Sequence, residues 1–209
     1  MIEQLYLDLD LRPDLEIIAN LVKPGERVLD LGCGDGSFLK MLKEKHEADV
    51  LGLELSQEAI IKCIANGVPV VQSNLENELD FAGDGDFDWV IVSQTLQEMR
   101  RPDVILQRIV RVGKRAAVSF INFGHIACRL QLLATGRMPR NKHMPYEWFD
   151  TPNIHFGTLR DFRCLCQDLG ISIVQATPVG HHFPLLTNLL PNLFAVGEVF
   201  VIEKKSGSN

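Results

Sequence analysis

A glycine-rich turn that follows a short apolar stretch constrains the fold of this chain more than any other feature. Residues 28–31 are mostly Val and Leu, which is typical of a buried parallel strand. Gly32, Gly34 and Gly36 then allow a sharp turn in which bare backbone can approach a ligand. A helix that begins at Ser37 would point its free amide groups back at this turn. The pattern predicts a nucleotide-type ligand site on an α/β sheet.

A second apolar stretch places a carboxylate near this turn. Residues 50–54 end in Glu54, which follows Gly34 by 20 residues. In nucleotide-binding sheets, a carboxylate at the end of the second strand accepts hydrogen bonds from the two hydroxyls of a ribose. The spacing therefore predicts an adenosine-containing ligand.

Details inside the turn indicate which adenosine ligand it is. The dinucleotide fingerprint Gly-x-Gly-x-x-Gly needs its third glycine at the place of Ser37, but here that glycine comes one residue early. Asp30 would repel a pyrophosphate and attract the ammonium group of a methionine moiety. The pattern Asp-x-Gly-x-Gly-x-Gly at 30–36 resembles that of class I S-adenosylmethionine (SAM) methyltransferases. A turn that binds no ligand is the disfavoured alternative, since carboxylates at both strand ends seldom recur by accident.

The rest of the chain alternates between strand and helix patterns. Apolar stretches at 68–72, 89–93 and 116–121 predict three further strands, with helices between them. Stretches 171–176 and 194–202 would pair as an antiparallel edge hairpin. We therefore expect an α/β, Rossmann-like class I methyltransferase fold. Its sheet would be mostly parallel and seven-stranded, with an antiparallel edge strand and helices on both faces.

Ligand contacts are expected where the strands end, at the carboxyl edge of the sheet. Asn74 could accept a hydrogen bond from the adenine amino group, for which Glu76 is a competing candidate. Ser93 and Gln94 follow the fourth strand, at the edge that in methyltransferases faces the methionine part. The ligand would be SAM or S-adenosylhomocysteine (SAH). The predicted cofactor-binding residues are Asp30, Gly32, Cys33, Gly34, Glu54, Leu55, Asn74, Leu75, Ser93 and Gln94.

Composition favours one cytoplasmic domain over residues 1–209. That length with 46% hydrophobic residues is enough for a full core. Five cysteines without a Cys-x-x-Cys pair argue against a disulfide framework, and no metal site is expected. Residues 1–14 do not resemble a targeting segment, and 193–202 is too short to span a bilayer. The net charge of −6 disfavours nucleic acid as the principal partner. The sequence leaves homo-oligomer formation open.

A long excursion, residues 122–157, separates the fifth predicted strand from the next helix. Excursions of this length inside a compact domain are usually functional. Its first part has apolar residues at helical spacing, and its last part is rich in aromatic residues. We expect it to form either a cover over a methyl acceptor or a docking surface for a partner.

Five sequence segments together narrow the resemblance to one family. They are residues 29–36, 93–97, 118–125, 136–139 and 145–156. Together they resemble the methionine biosynthesis protein MetW, over nearly the whole chain from residue 27 to the last strand. The resemblance implies a class I methyltransferase fold. It also implies a partner, homoserine O-acyltransferase, the enzyme that activates homoserine for sulfur incorporation.

Two classes of function stay open at this point. In the first, the protein is an enzyme that transfers the SAM methyl group to a small acceptor. Its base would be His125, Tyr146, Glu147 or His155, although alignment alone can carry much of such a displacement. The alternative to a catalytic role for His125 and His155 is that each is a loop residue hydrogen-bonded to the backbone.

In the second class, the protein is a partner or activator of homoserine O-acyltransferase, and SAM is at most a sensed ligand. The excursion would then dock through Trp148, Phe149 and Arg129, which are residue types enriched at interface anchors. The alternative role for Trp148 is structural, in packing the excursion onto its own domain. We favour docking, because of the resemblance to MetW and because no recognisable acceptor motif follows Ser93.

Overall fold

The structure is a computed structural model that describes residues 12–74, 79–141, 144–180 and 184–205. Its described residues form seven strands with helices around them. The strands are β1 (Arg27–Leu31), β2 (Asp49–Glu54), β3 (Val70–Gln72), β4 (Phe87–Ser93), β5 (Gly113–Ile121), β6 (Ile171–Val179) and β7 (Gly197–Lys204). The described helices are α1 (Pro13–Ala19), α2 (Ser37–His46), α3 (Gln57–Ala65), α4 (Pro102–Val112), α5 (Ile126–Thr135), α6 (Leu159–Asp168), α7 (Pro184–Leu189) and α8 (Pro191–Phe194). A short 3₁₀ turn covers Leu96–Glu98.

The strands form one sheet in the order β3-β2-β1-β4-β5-β7-β6. Pairing is parallel from β3 through β5. Successive side chains of a strand point to opposite faces of a sheet. Leu29 and Leu31 accordingly pack in one buried hydrophobic cluster, and Val28 packs in a second. The predicted α/β fold is confirmed, and its carboxyl edge gathers the ends of β1, β2 and β4.

The antiparallel hairpin is also confirmed, with one change of detail. Strand β7 is antiparallel to both β5 and β6, and it lies between them, so β6 is the outermost strand. The expected strand 194–202 begins later, at Gly197. Pro191 starts helix α8, which ends at Phe194. Proline is favoured in the first turn of a helix, and this short helix ends at Phe194, the first residue of the predicted strand.

The described part of the excursion after β5 contains one regular helix, α5, which begins four residues later than the excursion itself and ends at Thr135, with Gly136 as its C-cap. Helix α6 follows the excursion and is capped by Thr158, whose hydroxyl accepts a hydrogen bond from Asp161 N. Among the described residues, no helix combines the length and apolar character needed to cross a membrane.

Candidate cofactor cleft

The glycine turn after β1 has a backbone that favours glycine. Gly32 and Gly36 have φ angles of +81° and +76°, in the left-handed region. A Cβ atom on Gly32 would also lie 2.8 Å from Cγ2 of Thr95. The amide of Gly32 donates to the carbonyl of Leu53 at 2.8 Å, which ties the turn to β2. The turn is therefore held open at the sheet edge in one conformation.

Glu54 is oriented by backbone amides at the end of β2. Its Oε2 accepts a hydrogen bond from the amide of Gly34 at 2.9 Å. Its Oε1 accepts from the amides of Leu55 at 2.8 Å and Ser56 at 2.9 Å. A carboxylate offers about four lone-pair sites, so acceptor capacity remains for a ligand hydroxyl.

A cleft of about 620 Å³ opens beside Glu54 at the carboxyl edge of the sheet. Six of the ten predicted cofactor-binding residues line it: Gly32, Glu54, Leu55, Asn74, Ser93 and Gln94. Its lining also includes five residues that sequence reasoning missed: Arg12, Ser56, Thr95, Glu98 and Met99. Thr95, Glu98 and Met99 continue the segment after β4, so their closeness to Ser93 in the sequence was a usable signal. Leu75 and Glu76 fall outside the described residues.

Three predicted residues, Asp30, Cys33 and Gly34, are not part of the lining of the cleft. Asp30 is only 4% exposed, and its Oδ1 has no hydrogen-bond partner within the described part of the chain. Burial raises the pKa of Asp30 to about 7, Arg12 opposes this, and Glu54 adds to it. The Sγ of Cys33 lies 3.7 Å from the Sγ of Cys63, and burial raises the pKa of the Cys33 thiol. Gly34 contributes its amide to Glu54.

A buried ionic network at the start of α1 flanks the cleft. Asp14 is 2% exposed and accepts hydrogen bonds from Nε and Nη2 of Arg12, both at 3.0 Å. The hydroxyls of Ser119 and Ser93 donate to it at 2.6 and 3.1 Å. Burial alone would raise the pKa of Asp14, but Arg12 and the hydroxyls hold this pKa below its usual value. The network presents the Arg12 guanidinium to the cleft beside Ser93.

Gln94 has an unusual backbone for a residue with a side chain. Its φ angle of +59° is in the left-handed region, where residues other than glycine are uncommon. Its Nε2 donates to Oδ2 of Asp14 at 3.4 Å, so the same network holds it. Strained backbone of this kind clusters at ligand sites.

The excursion is hydrogen-bonded to the turn after β4 through Gln97. The Nε2 of Gln97 donates to the carbonyls of Ile121 and His155 at 3.2 Å each. Its Oε1 accepts from the amide of Ile121 at 2.8 Å. The amides of Ile154 and His155 donate to the carbonyl of Gln97 at 3.0 and 3.1 Å. One buried glutamine thus fastens the end of the excursion to the sheet.

The four candidate bases lie away from the lining of the cleft. His125 caps α5, because its Nδ1 accepts from the amide of Ala127 at 3.2 Å, and burial lowers its pKa. Tyr146 and Glu147 line a separate cavity in the excursion, where Glu147 pairs with Arg140. His155 is exposed and bonds to Gln97 through its backbone. No group of three His, Cys, Asp or Glu side chains suited to a metal occurs among the described residues.

Solved structures of similar architecture define the class of this fold. A SAM-dependent methyltransferase from Archaeoglobus fulgidus aligns with a TM-score of 0.68 at 17% identity, over 95% of this chain and 98% of that one. Magnesium protoporphyrin IX methyltransferase from Synechocystis, solved with bound SAH, aligns with a TM-score of 0.62 at 17% identity, over 92% and 80%. The chain has the class I methyltransferase fold.

The family follows from the sequence. The model of the methionine biosynthesis protein MetW matches residues 12–202, and this chain belongs to the MetW family. A bifunctional methionine biosynthesis protein MetXA/MetW from Rhodopirellula baltica is 33% identical over 175 residues, which are 79% of this chain. The chain spans 28% of that relative's length. An uncharacterized methyltransferase from Synechocystis is 29% identical over 192 residues, 88% of this chain and 78% of that protein.

Proposed function

We propose that the cleft binds SAM or SAH. The carboxylate of Glu54 would accept hydrogen bonds from the ribose hydroxyls, and the edge that carries Asn74 would receive the adenine. At the other end of the cleft, Arg12 offers a guanidinium to the carboxylate of the methionine part. Gly32 of the glycine turn lines the cleft and would offer its backbone to the ligand.

The unpartnered oxygen of Asp30 is the observation that carries this assignment. A buried carboxylate without a full set of hydrogen bonds is costly, so its presence needs an explanation. The ammonium group of a methionine moiety in the cleft would supply a compensating charge to this carboxylate from the other side of the cleft lining. A dinucleotide pyrophosphate at this place would add negative charge beside Asp30 and Glu54.

We further propose that the protein acts as a partner or activator of homoserine O-acyltransferase. Support comes from the relative in Rhodopirellula baltica, whose name joins MetXA and MetW in one chain. Fusion of two components into one polypeptide is expected for proteins that work in contact. The protein would then use SAM as a sensed ligand.

The excursion supplies a surface suited to such a contact, which we call the docking surface: α5 and residues 144–149. Leu133 is 83% exposed, Phe149 71% and Trp148 70%. The segment after α5 folds back on it, since the amide of Arg140 donates to Oε1 of Gln131. Arg140 in turn pairs with Glu147, next to Trp148. Exposed apolar side chains joined in one surface mark an interaction site.

Arg129, expected to anchor the partner, is exposed and also makes a contact within the excursion. Its Nε donates to the carbonyl of Gly124 at 2.6 Å, which supports the start of α5. Phe149 and Leu133 are better test positions, because they are exposed and a substitution at Arg129 would also disturb the start of α5.

Phe149→Ala should weaken binding to the acyltransferase of the same organism by about 2 kcal/mol, or about thirtyfold, as expected for an aromatic interface anchor. Phe81→Ala is the matched control, because Phe81 is 55% exposed and lies before β4, at the opposite edge of the sheet. Binding of each variant to surface-immobilised acyltransferase would give both affinities. Equal affinities of the two variants would exclude Phe149 from the interface.

A SAM-dependent methyltransferase acting on a small molecule remains the alternative function. Glu98 favours it, because this carboxyl lines the cleft and burial, with a smaller contribution from Glu54, raises its pKa. A carboxyl of this kind can serve as a general base. Conversion of SAM to SAH by the purified protein in a metabolite extract, lost in Glu98→Gln, would support this reading over the partner role.

A further inference from the structure

The excursion encloses a second cavity of about 500 Å³, separate from the cofactor cleft. The two share no lining residue among those the structure describes. The turn after β4 lies between them: Glu98 and Met99 line the cleft, whereas Gln97 lines the excursion cavity. Since Gln97 is fastened to both Ile121 and the backbone of His155, this partition is part of the fold. The excursion cavity and the cleft therefore lie on different sides of the turn at Gln97.

The walls of the excursion cavity combine aromatic and basic side chains. Phe123, Tyr146, Trp148 and Phe156 line it, and Phe123 packs on Phe156 with ring centroids 5.1 Å apart. Apolar and aromatic walls with a few polar groups, in a volume of several hundred Å³, are typical of sites for small organic molecules.

Charge in the excursion cavity favours an anion. The described lining contains two basic side chains, Arg137 and Arg140, and one acidic side chain, Glu147. Arg140 pairs with Glu147, whereas the Arg137 guanidinium makes no ion pair with a described residue. The described part of the lining therefore carries one positive charge without an ion-pair partner among the described residues, next to aromatic walls. A guanidinium can bind a carboxylate through two parallel hydrogen bonds.

We propose that the excursion cavity is a binding site for a small organic carboxylate with an aromatic or other apolar body. Its carboxylate pairs with Arg137, and its apolar part lies against Tyr146 and Trp148. The site works independently of the cofactor cleft, because the turn at Gln97 separates the two. This inference does not depend on the proposed role with the acyltransferase.

Trp148 provides a direct optical test. The chain has two tryptophans, of which Trp89 is buried and Trp148 is 70% exposed. Hydrocinnamate, an aromatic carboxylate that does not emit in the tryptophan range, is titrated into the full chain. A saturable shift of the emission to shorter wavelength is expected, with half-saturation at about 1 mM or below. Absence of any saturable change up to about 20 mM would overturn the proposal.

Three controls separate the proposed site from other binding. The neutral amide of hydrocinnamate should bind about tenfold more weakly, since it cannot form the ion pair. Arg137→Gln should weaken hydrocinnamate binding to a similar extent. Arg160→Gln, on α6 outside the cavity, should leave hydrocinnamate binding unchanged. Saturating SAH should leave the affinity for hydrocinnamate within about twofold. Equal binding of the amide, an unaffected Arg137→Gln, or displacement by SAH would each contradict the proposal.

Discussion

Glu54 is positioned before any ligand arrives, because three backbone amides fix its carboxylate. Glu54→Ala should weaken SAH binding by about tenfold to a hundredfold, because the variant loses a charged hydrogen-bond acceptor. Glu58→Ala is the matched control, because Glu58 is exposed on α3 and pairs only with Lys62 among the described residues. Calorimetric titration with SAH measures both. No heat with wild type at millimolar SAH would contradict the cofactor assignment while leaving the fold intact.

Asp30 links ligand binding to stability. Its pKa is raised to about 7 in the fold, above the usual value of about 4, so the folded state holds an extra proton between these pH values. The stability that this group contributes is fully present below about pH 4 and is lost as the pH rises through 7. Asp30→Asn should therefore raise the free energy of unfolding at pH 8, by up to about 4 kcal/mol, and less at pH 5.

Urea unfolding of the ligand-free proteins at pH 5 and pH 8 would measure this difference. The same variant should bind SAH at least about tenfold more weakly, since the charge that attracts the ammonium group is gone. A variant that is no more stable than wild type at pH 8 would show that Asp30 is not held at a cost in the free protein.

At the scale of elements, an ion pair joins the hairpin of β6 and β7 to α6. Glu198 is 2% exposed, and Nη2 of Arg163 donates to its two oxygens at 2.8 and 2.7 Å. Burial raises the pKa of Glu198, and Arg163 opposes this. Arg163→Ala should cost about 2 kcal/mol of unfolding free energy at pH 8, because it leaves a buried carboxylate uncompensated.

The loss should be smaller at pH 5, where Glu198 can take up a proton and escape the cost of a buried charge. Arg160→Ala on the same helix is the control and should be close to neutral, as expected for an exposed side chain. Denaturant unfolding of the two variants gives the comparison. Equal effects would mean that the ion pair adds nothing to the hairpin.

Elements whose role depends on local pattern could be predicted from the sequence. The ends of β1, β2, β3 and β4 follow from apolar stretches that stop at polar or glycine residues, so six cleft residues could be placed there. Helix α8 was missed, because four residues are too few to show a helical period. Proline at its start was the available signal.

For the whole molecule, long-range contacts set the limit of sequence reasoning. Asp14 bonds to Ser119 across 105 positions, so nothing local to Arg12 or Asp14 shows that they reach the cleft. The same holds for Gln97, whose contacts with Ile121 and His155 separate the two cavities. The excursion was recognised by its length, but the division of its space required the folded backbone.

The central claim concerns the molecule as a partner of another protein. The most direct test combines the purified chain with the homoserine O-acyltransferase of the same organism and measures both co-elution and the rate of acyl transfer. We expect a complex at concentrations of about 10 µM or below. We also expect faster acyl transfer in the presence of the chain than in its absence. Full acyltransferase activity without the chain, together with no complex at that concentration, would contradict the partner role and favour the methyltransferase.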